Sequence, residues 1–277
     1  MSKRSNNKNN KQLIRKSSLD FEEFSDKKFR TSLKKAGLSP KITEDLLTEL
    51  QPTVKNYFST QTLHHATYKC LLKKSKIVAA NYNIKQAIYD LGPTGYPFEI
   101  FCAEMLKVKG YKTKVSVIKR GKYVRHEVDI IAKRDDHNIF CECKFHSLKS
   151  RKNNIKVPLY IQSRFLDLQA GNPNEKLDYA IFSNTEFSKD AIQYSRGVGL
   201  LLYSMNYPTH GAFIDLVRKY KVFPITALRS LRVRDRKVLL DDGIVVIKRV
   251  KRNDLIKLGL SEREISKVFQ EIKILTH

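Results

Sequence analysis

His126-Glu-Val-Asp-Ile130 and Cys141-Glu-Cys-Lys-Phe-His146 decide how this chain is read. Successive side chains of a strand point to opposite faces. In the second segment Phe140, Glu142, Lys144 and His146 therefore share one face, and Ile139, Cys141, Cys143 and Phe145 share the other, an apolar one. In the first segment Val128 and Ile130 lie on the face opposite Asp129. The intervening Lys133-Arg-Asp-Asp-His-Asn138 is polar throughout and suits a hairpin connection. An acid and an acid-x-lysine thus fall on neighbouring strands. Glu-x-Lys alone is common on solvated strands. Here the strand is apolar enough to be buried, where an unpartnered carboxylate is costly, and a cation is the simplest partner.

Asp129 and Glu142 offer hard oxygens of the kind that hold Mg²⁺ or Mn²⁺, and Mg²⁺ keeps several of its waters. Such an ion polarises a phosphate and acidifies a water. Lys144, one pleat from Glu142, can orient that water and offset charge on the phosphate. Upstream, Tyr96 to Lys109 is predicted as an amphipathic helix with Phe98, Phe101, Cys102, Met105 and Leu106 on one side, stopped by Gly110. Glu99 leans over that apolar side. It faces either the charges of the adjacent strands or water at the edge of the helix.

The run Gly95-Tyr-Pro-Phe-Glu99, Gly110-Tyr111, His126-Glu-Val-Asp129 and Glu142-Cys-Lys144 resembles the Mrr-type restriction endonucleases of the PD-(D/E)xK superfamily, over about residues 92–205. The resemblance implies an active site of Glu99, Asp129, Glu142 and Lys144, with Asp129 and Glu142 as metal ligands. Glu127 departs from the pattern, where many members carry a small residue. It is either a further ligand or a salt-bridge partner.

With 277 residues the chain has room for two or three small domains. No apolar run reaches the length of a membrane span, and the Lys/Asn-rich start lacks the apolar stretch of a signal peptide. The expectation is a cytoplasmic protein with no membrane association. A net charge of +25 makes a polyanion, DNA above all, the expected partner. Cys70, Cys102, Cys141 and Cys143 form no Cys-x-x-Cys pair, which excludes a zinc ribbon.

Residues 1–12 read as a disordered basic tail. Helices are predicted over Phe21 to Ala36, Ile42 to Leu50, Thr60 to Leu72 and Val78 to Leu91. A short basic strand followed by four small helices resembles the ATP-cone, a nucleotide-sensing domain, over residues 13–91. The matching stretches are Ile14-Arg-Lys-Ser17, Phe24-Ser-Asp-Lys-Lys-Phe29, Ser32-Leu-Lys-Lys-Ala-Gly37, Ser59-Thr-Gln-Thr-Leu-His64, Ala79-Ala-Asn-Tyr82 and Lys85-Gln-Ala87. That resemblance implies phosphate contacts by Lys16, Lys28 and Lys85, with Thr60 and His64 near the nucleotide and Glu22 on its base or ribose. The family's Asp-Gly turn is replaced by Ser17-Ser-Leu-Asp20.

Past Asp178, strands at Tyr179 to Ser183 and Leu200 to Ser204 flank a helix from Ser188 to Arg196, completing an αβ core. A helix over Val157 to Leu168 carries Gln162 and Arg164, either of which could face the site or DNA. Residues 209–277 are predicted as a small helical module. Its helical stretches are Ile225 to Leu231, Asp235 to Leu240, and Leu255 to Val268 around Gly259, the last loosely resembling a helix-hairpin-helix.

The expected fold is multidomain: an ATP-cone of short strands and four helices (13–91), a restriction-endonuclease-like αβ core with a mixed sheet (92–208), and the helical module. The expected function is Mg²⁺-dependent DNA cleavage regulated by ATP or dATP, in a homo-oligomer. The alternatives are a non-catalytic, nucleotide-responsive DNA-binding regulator and a nuclease for Holliday-type junctions.

Overall fold

The computed structural model describes residues 13–15, 21–50 and 58–277. The tail, Lys16 and the Ser17–Asp20 turn lie outside the described residues. The chain forms two compact units, residues 1–82 and 83–277.

In the first unit, β1 (Leu13–Arg15) pairs antiparallel with β2 (Phe21–Glu23) and parallel with β3 (Phe58–Ser59). Phe21 to Glu23 is therefore a strand rather than the start of a helix. Its backbone is claimed by β1, and pairing overrides local propensity. Helix α1 (Asp26–Lys35) begins at Ser25, whose hydroxyl accepts the Lys28 N–H, and gives way to Gly37 at φ +99°. Helices α2 (Pro40–Leu50) and α3 (Thr60–Lys74) follow, and α4 (Lys76–Tyr89) begins in this unit and runs past residue 82 into the second. Leu33, Ala36, Leu46 and Leu71 are fully buried among them.

The second unit is built on one sheet in the order β4-β5-β6-β7-β8. β4 (Lys112–Arg120), β5 (Arg125–Arg134) and β6 (His137–Lys144) form an antiparallel meander; β7 (Lys176–Ser183) and β8 (Leu201–Tyr203) add in parallel. The predicted polar hairpin is present, with Arg134 opposite His137 and Asp135 left-handed at φ +54°. α5 (Tyr96–Val108) packs on one sheet face. Its Phe98 and Phe101 meet Phe213 of α8 (Phe213–Tyr220), and Phe182 of β7 meets the same ring. On the other face α6 (Lys156–Gly171) and α7 (Lys189–Val198) cover Phe140, Tyr179 and Ile181.

The C-terminal residues are not one helix after another. Ile225–Ala227 and Ile247–Arg249 are single 3-10 turns, because Ile225 N–H donates to Val245 and Ile247 N–H to Phe223 across a bridge of Pro224 with Val246. Short helices α9 (Val233–Asp241), α10 (Arg252–Lys257) and α11 (Glu262–Thr276) complete the segment. α10 and α11 are joined by a short turn in which Gly259 is left-handed at φ +73°. This segment is joined to α5 by Arg249 on Glu104, 2.9 Å, and to the second-unit end of α4 by the Thr226 hydroxyl on the Ala87 carbonyl.

Candidate active site

The site sits where the ladders around β5 are interrupted. Between β4 and β5 the pairs Val115–Ile130 and Val117–Val128 form, and Ser116 and Asp129 are skipped. Ser116 there is left-handed, φ +52°, a conformation that costs a non-glycine residue on the order of 1 kcal/mol. Between β5 and β6 pairing starts at Ile130–Cys141. Val128 and Ile131, three residues apart, both pack against the α6–α7 side, so the alternation of faces reverses across Asp129. Such an irregularity re-aims a side chain. Asp129 Oδ2 reaches across to accept the Cys143 N–H at 2.7 Å.

Glu142 is buried, 4% exposed, and is neutralised from two directions. Lys144 Nζ lies 2.6 Å from Oε1 and Arg164 Nη1 2.8 Å from Oε2. Arg164 descends from α6 and also donates to the backbone carbonyl of Glu127. Glu99, in the first turn of α5, hydrogen-bonds Ser116 and feels Asp129, Glu127 and Glu142. Burial, then those three carboxylates, push its carboxyl up to about 7. Burial and the neighbouring Glu142 push Asp129 up to about 6, against the opposing pull of the Cys143 N–H, Lys144 and Arg164.

The structure thus brings Glu99, Asp129, Glu142 and Lys144 together, and adds Glu127, Ser116 and Arg164. Four carboxylates face two cations. Asp129 Oδ1 has no hydrogen-bond donor among the described residues. Crowded acids short of positive charge, offering hard oxygens, fit a divalent cation such as Mg²⁺ or Mn²⁺. Among the described residues no three His, Cys, Asp or Glu side chains form a ready-made cage.

His146 does not continue the Glu142–Lys144 face. β6 ends at Lys144, and the His146 ring turns to Asn153 Oδ1 at 2.9 Å. Gln162 lies two residues from Arg164, about 200° around the helix, with its Oε1 buried and without a partner.

In the first unit Glu22 is on β2 opposite Ile14, and Lys28 is exposed in α1. Thr60 opens α3, capped by Ser59 rather than by itself, since the Ser59 hydroxyl accepts the Thr62 N–H at 3.0 Å. The His64 ring stacks on Tyr82, centroids 4.8 Å apart. Lys85 lies on α4 past residue 82, in the second unit. No helix among the described residues is long and apolar enough to cross a membrane.

Comparison with known proteins bears on the second unit. A family model described as a restriction endonuclease, of the Mrr catalytic type, matches residues 93–206. A second, described as AF1548-like, C-terminal, matches residues 223–276. An uncharacterized protein of Archaeoglobus fulgidus is 32% identical over 177 residues, 62% of this chain and 97% of that protein. The crystal structure of a protein of unknown function, AF1548, is similar at a TM-score of 0.55 and 30% identity, covering 65% of this chain and 97% of that one.

Proposed function

Because the chain belongs to the AF1548-like family and carries a Mrr-type restriction endonuclease domain, we propose that it is a metal-dependent deoxyribonuclease that hydrolyses phosphodiester bonds. The observation that carries this reading is the cluster of Glu99, Asp129 and Glu142 with Lys144 held against Glu142.

Asp129 and Glu142 are the side chains that would hold Mg²⁺ or Mn²⁺, which when bound acts as a Lewis acid on the phosphate. The remaining roles fall to the chain's own residues. Lys144 is half-buried, and its ammonium, fixed by Glu142, is placed to offset the charge that builds on phosphorus as water adds and the bridging oxygen leaves. Arg164 fixes Glu142 in turn, so the lysine is positioned by a rigid second contact. Glu99, in the same cluster as Asp129 and Glu142, is placed to accept a proton from the attacking water.

The test is cleavage of supercoiled plasmid with Mg²⁺ or Mn²⁺, beside Asp129→Ala and Lys144→Met. Metal-dependent nicking lost in both variants supports the reading. Binding without cleavage of linear, methylated and branched DNA would replace it by a non-catalytic DNA-binding regulator, and cutting of four-way junctions alone would make it a structure-specific nuclease.

For the first unit the proposal is an ATP- or dATP-binding, regulatory ATP-cone. The parallel pairing of Arg15 with Ser59 sets the N-terminus of α3 at the end of the small sheet, a place where backbone N–H groups favour phosphate. Glu22 is on β2 of the same small sheet and Lys28 on α1, which follows β2; Lys16 lies outside the described residues. ATP or dATP should raise the melting temperature and shift the oligomeric size. If neither changes, the regulatory assignment is wrong.

A further inference from the structure

β4 and β5 are joined by Gly121-Lys-Tyr-Val124, and from Lys119 to His126 the tip of the hairpin they form carries basic residues and no acidic one. Between Met105 and His126 there are eight basic residues and no acidic one. Arg120 and Arg125 stand directly opposite each other in the register, an arrangement in which like charges destabilise the pair. Neither they nor the exposed Lys122 has a carboxylate partner among the described residues. The apolar side chains here are also outward: Ile118 is 71%, Tyr123 70% and Val124 53% exposed. Lys122 Nζ lies 5.1 Å from the Tyr123 ring.

The backbone beneath those side chains is held firmly. Asp167 of α6 accepts the Tyr123 N–H at 2.9 Å and contacts His126 Nε2 at 2.7 Å. The Asp167 carbonyl accepts the Lys122 N–H at 3.0 Å, and Asn172 Nδ2 donates to the Arg120 carbonyl at 3.1 Å. Helix and loop approach so closely that a Cβ on Gly121 would stand 2.0 Å from Asp167 Oδ2, and one on Gly171 2.5 Å from the Gly121 backbone. Lysines on an edge strand discourage strand addition, which accounts for Lys112 and Lys114. That reason does not extend to a clamped tip that presents Arg120, Lys122, Tyr123 and Arg125.

We infer that this hairpin tip is a preformed contact for duplex DNA, with Arg120, Lys122 and Arg125 on phosphates and Tyr123 against the sugar–base edge. The inference rests on the nuclease reading and names a surface which that reading does not use. Phosphate contacts relieve the Arg120–Arg125 repulsion, and a tip already ordered by Asp167 loses little entropy on binding. Four residue steps along β5 lead from Arg125 to Asp129, about 13 Å at 3.3 Å per residue. On a duplex that corresponds to at most about four base pairs, so the tip's contact falls within that distance of the bond cut at Asp129.

The experiment compares the full chain with its Arg120→Ser/Lys122→Ser/Arg125→Ser variant for binding to a 30-base-pair duplex in EDTA across a salt series. Three lost phosphate contacts should lower the slope of log affinity against log salt by roughly 2.7 and weaken binding on the order of 10²-fold near 0.1 M salt. Tyr123→Ser should weaken binding without moving the slope. Calorimetric melting of each variant at the wild-type temperature shows that the hairpin still folds. If the triple variant keeps the wild-type slope and affinity while the wild type binds and cuts, the hairpin assignment falls and the nuclease stands. If the wild type neither binds nor cuts DNA, both fall.

Discussion

Asp129→Asn should make the metal-free protein more stable while abolishing cleavage. The carboxyl moves from an ordinary 3.8 to about 6 in the folded chain, through burial and then Glu142. The folded state therefore binds more protons than the unfolded one between about pH 4 and 6, and stability falls as pH rises through that window. At pH 8 the full difference corresponds to about 3 kcal/mol, and partial contact with water reduces it to about 1–2 kcal/mol. Asparagine carries no charge and keeps an oxygen for the Cys143 N–H. For a unit of this size each kcal/mol moves the melting temperature by about 2–4 °C, so calorimetry in EDTA at pH 8 should show a rise of about 2–8 °C. The gain should vanish near pH 4, where the folded wild-type carboxyl is already protonated. Excess Mg²⁺ should reverse the order, because only the wild type gains from ligation. A variant less stable than wild type at pH 8 in EDTA, or a gain that ignores pH, would refute the reasoning.

Lys144→Met should lower the cleavage rate by about 10²-fold or more and leave DNA affinity little changed, which single-turnover cleavage and equilibrium binding measure separately. Gly171→Ala forces a Cβ into the Gly121 backbone, and should cost about 1–3 kcal/mol, read as a lower denaturation midpoint in urea. Glu104→Gln weakens the contacts to Arg249 and Lys107 and should cost about 1–2 kcal/mol; an unchanged midpoint would mean Arg249 contributes nothing there.

The acid-x-lysine strand was legible because two signals coincide on it. Cys141 and Cys143 make one face apolar, and both are buried, which left Glu142 and Lys144 needing a partner on the other. Helix α5 was legible for a similar reason, with Phe98, Phe101, Cys102 and Met105 recurring at helical spacing. β4 gave no such signal. Its inward residues Thr113, Val115 and Val117 are only half-buried and alternate with the exposed Lys112, Lys114, Ser116 and Ile118, so little apolar patterning marks the edge strand. Nor does a serine announce a positive φ: Ser116 is left-handed because the ladder breaks around it. The choice for Arg164 between site and DNA falls to the site, since Glu142 is within 2.8 Å. Helix α7 runs through Gly197 and stops at Gly199, φ +78°. Glycine permits a stop, and the left-handed backbone decides which one is used.

Three of the four thiols lie in the layer beneath the acids. Cys102, Cys141 and Cys143 are buried, Cys70 only partly so, and none is in a disulfide. Burial raises all three thiols, Cys141 and Cys143 well above the ordinary thiol range, with Cys102 and Cys143 sharing a hydrogen bond. A thiol in that state is inert to alkylation until α5 lifts from the sheet. Cys143 is also the residue whose N–H holds Asp129. Its modification rate, set against that of Cys70, is therefore a clock for how often the carboxylate loses its anchor, readable by mass spectrometry in a chain that has no tryptophan to report the event optically.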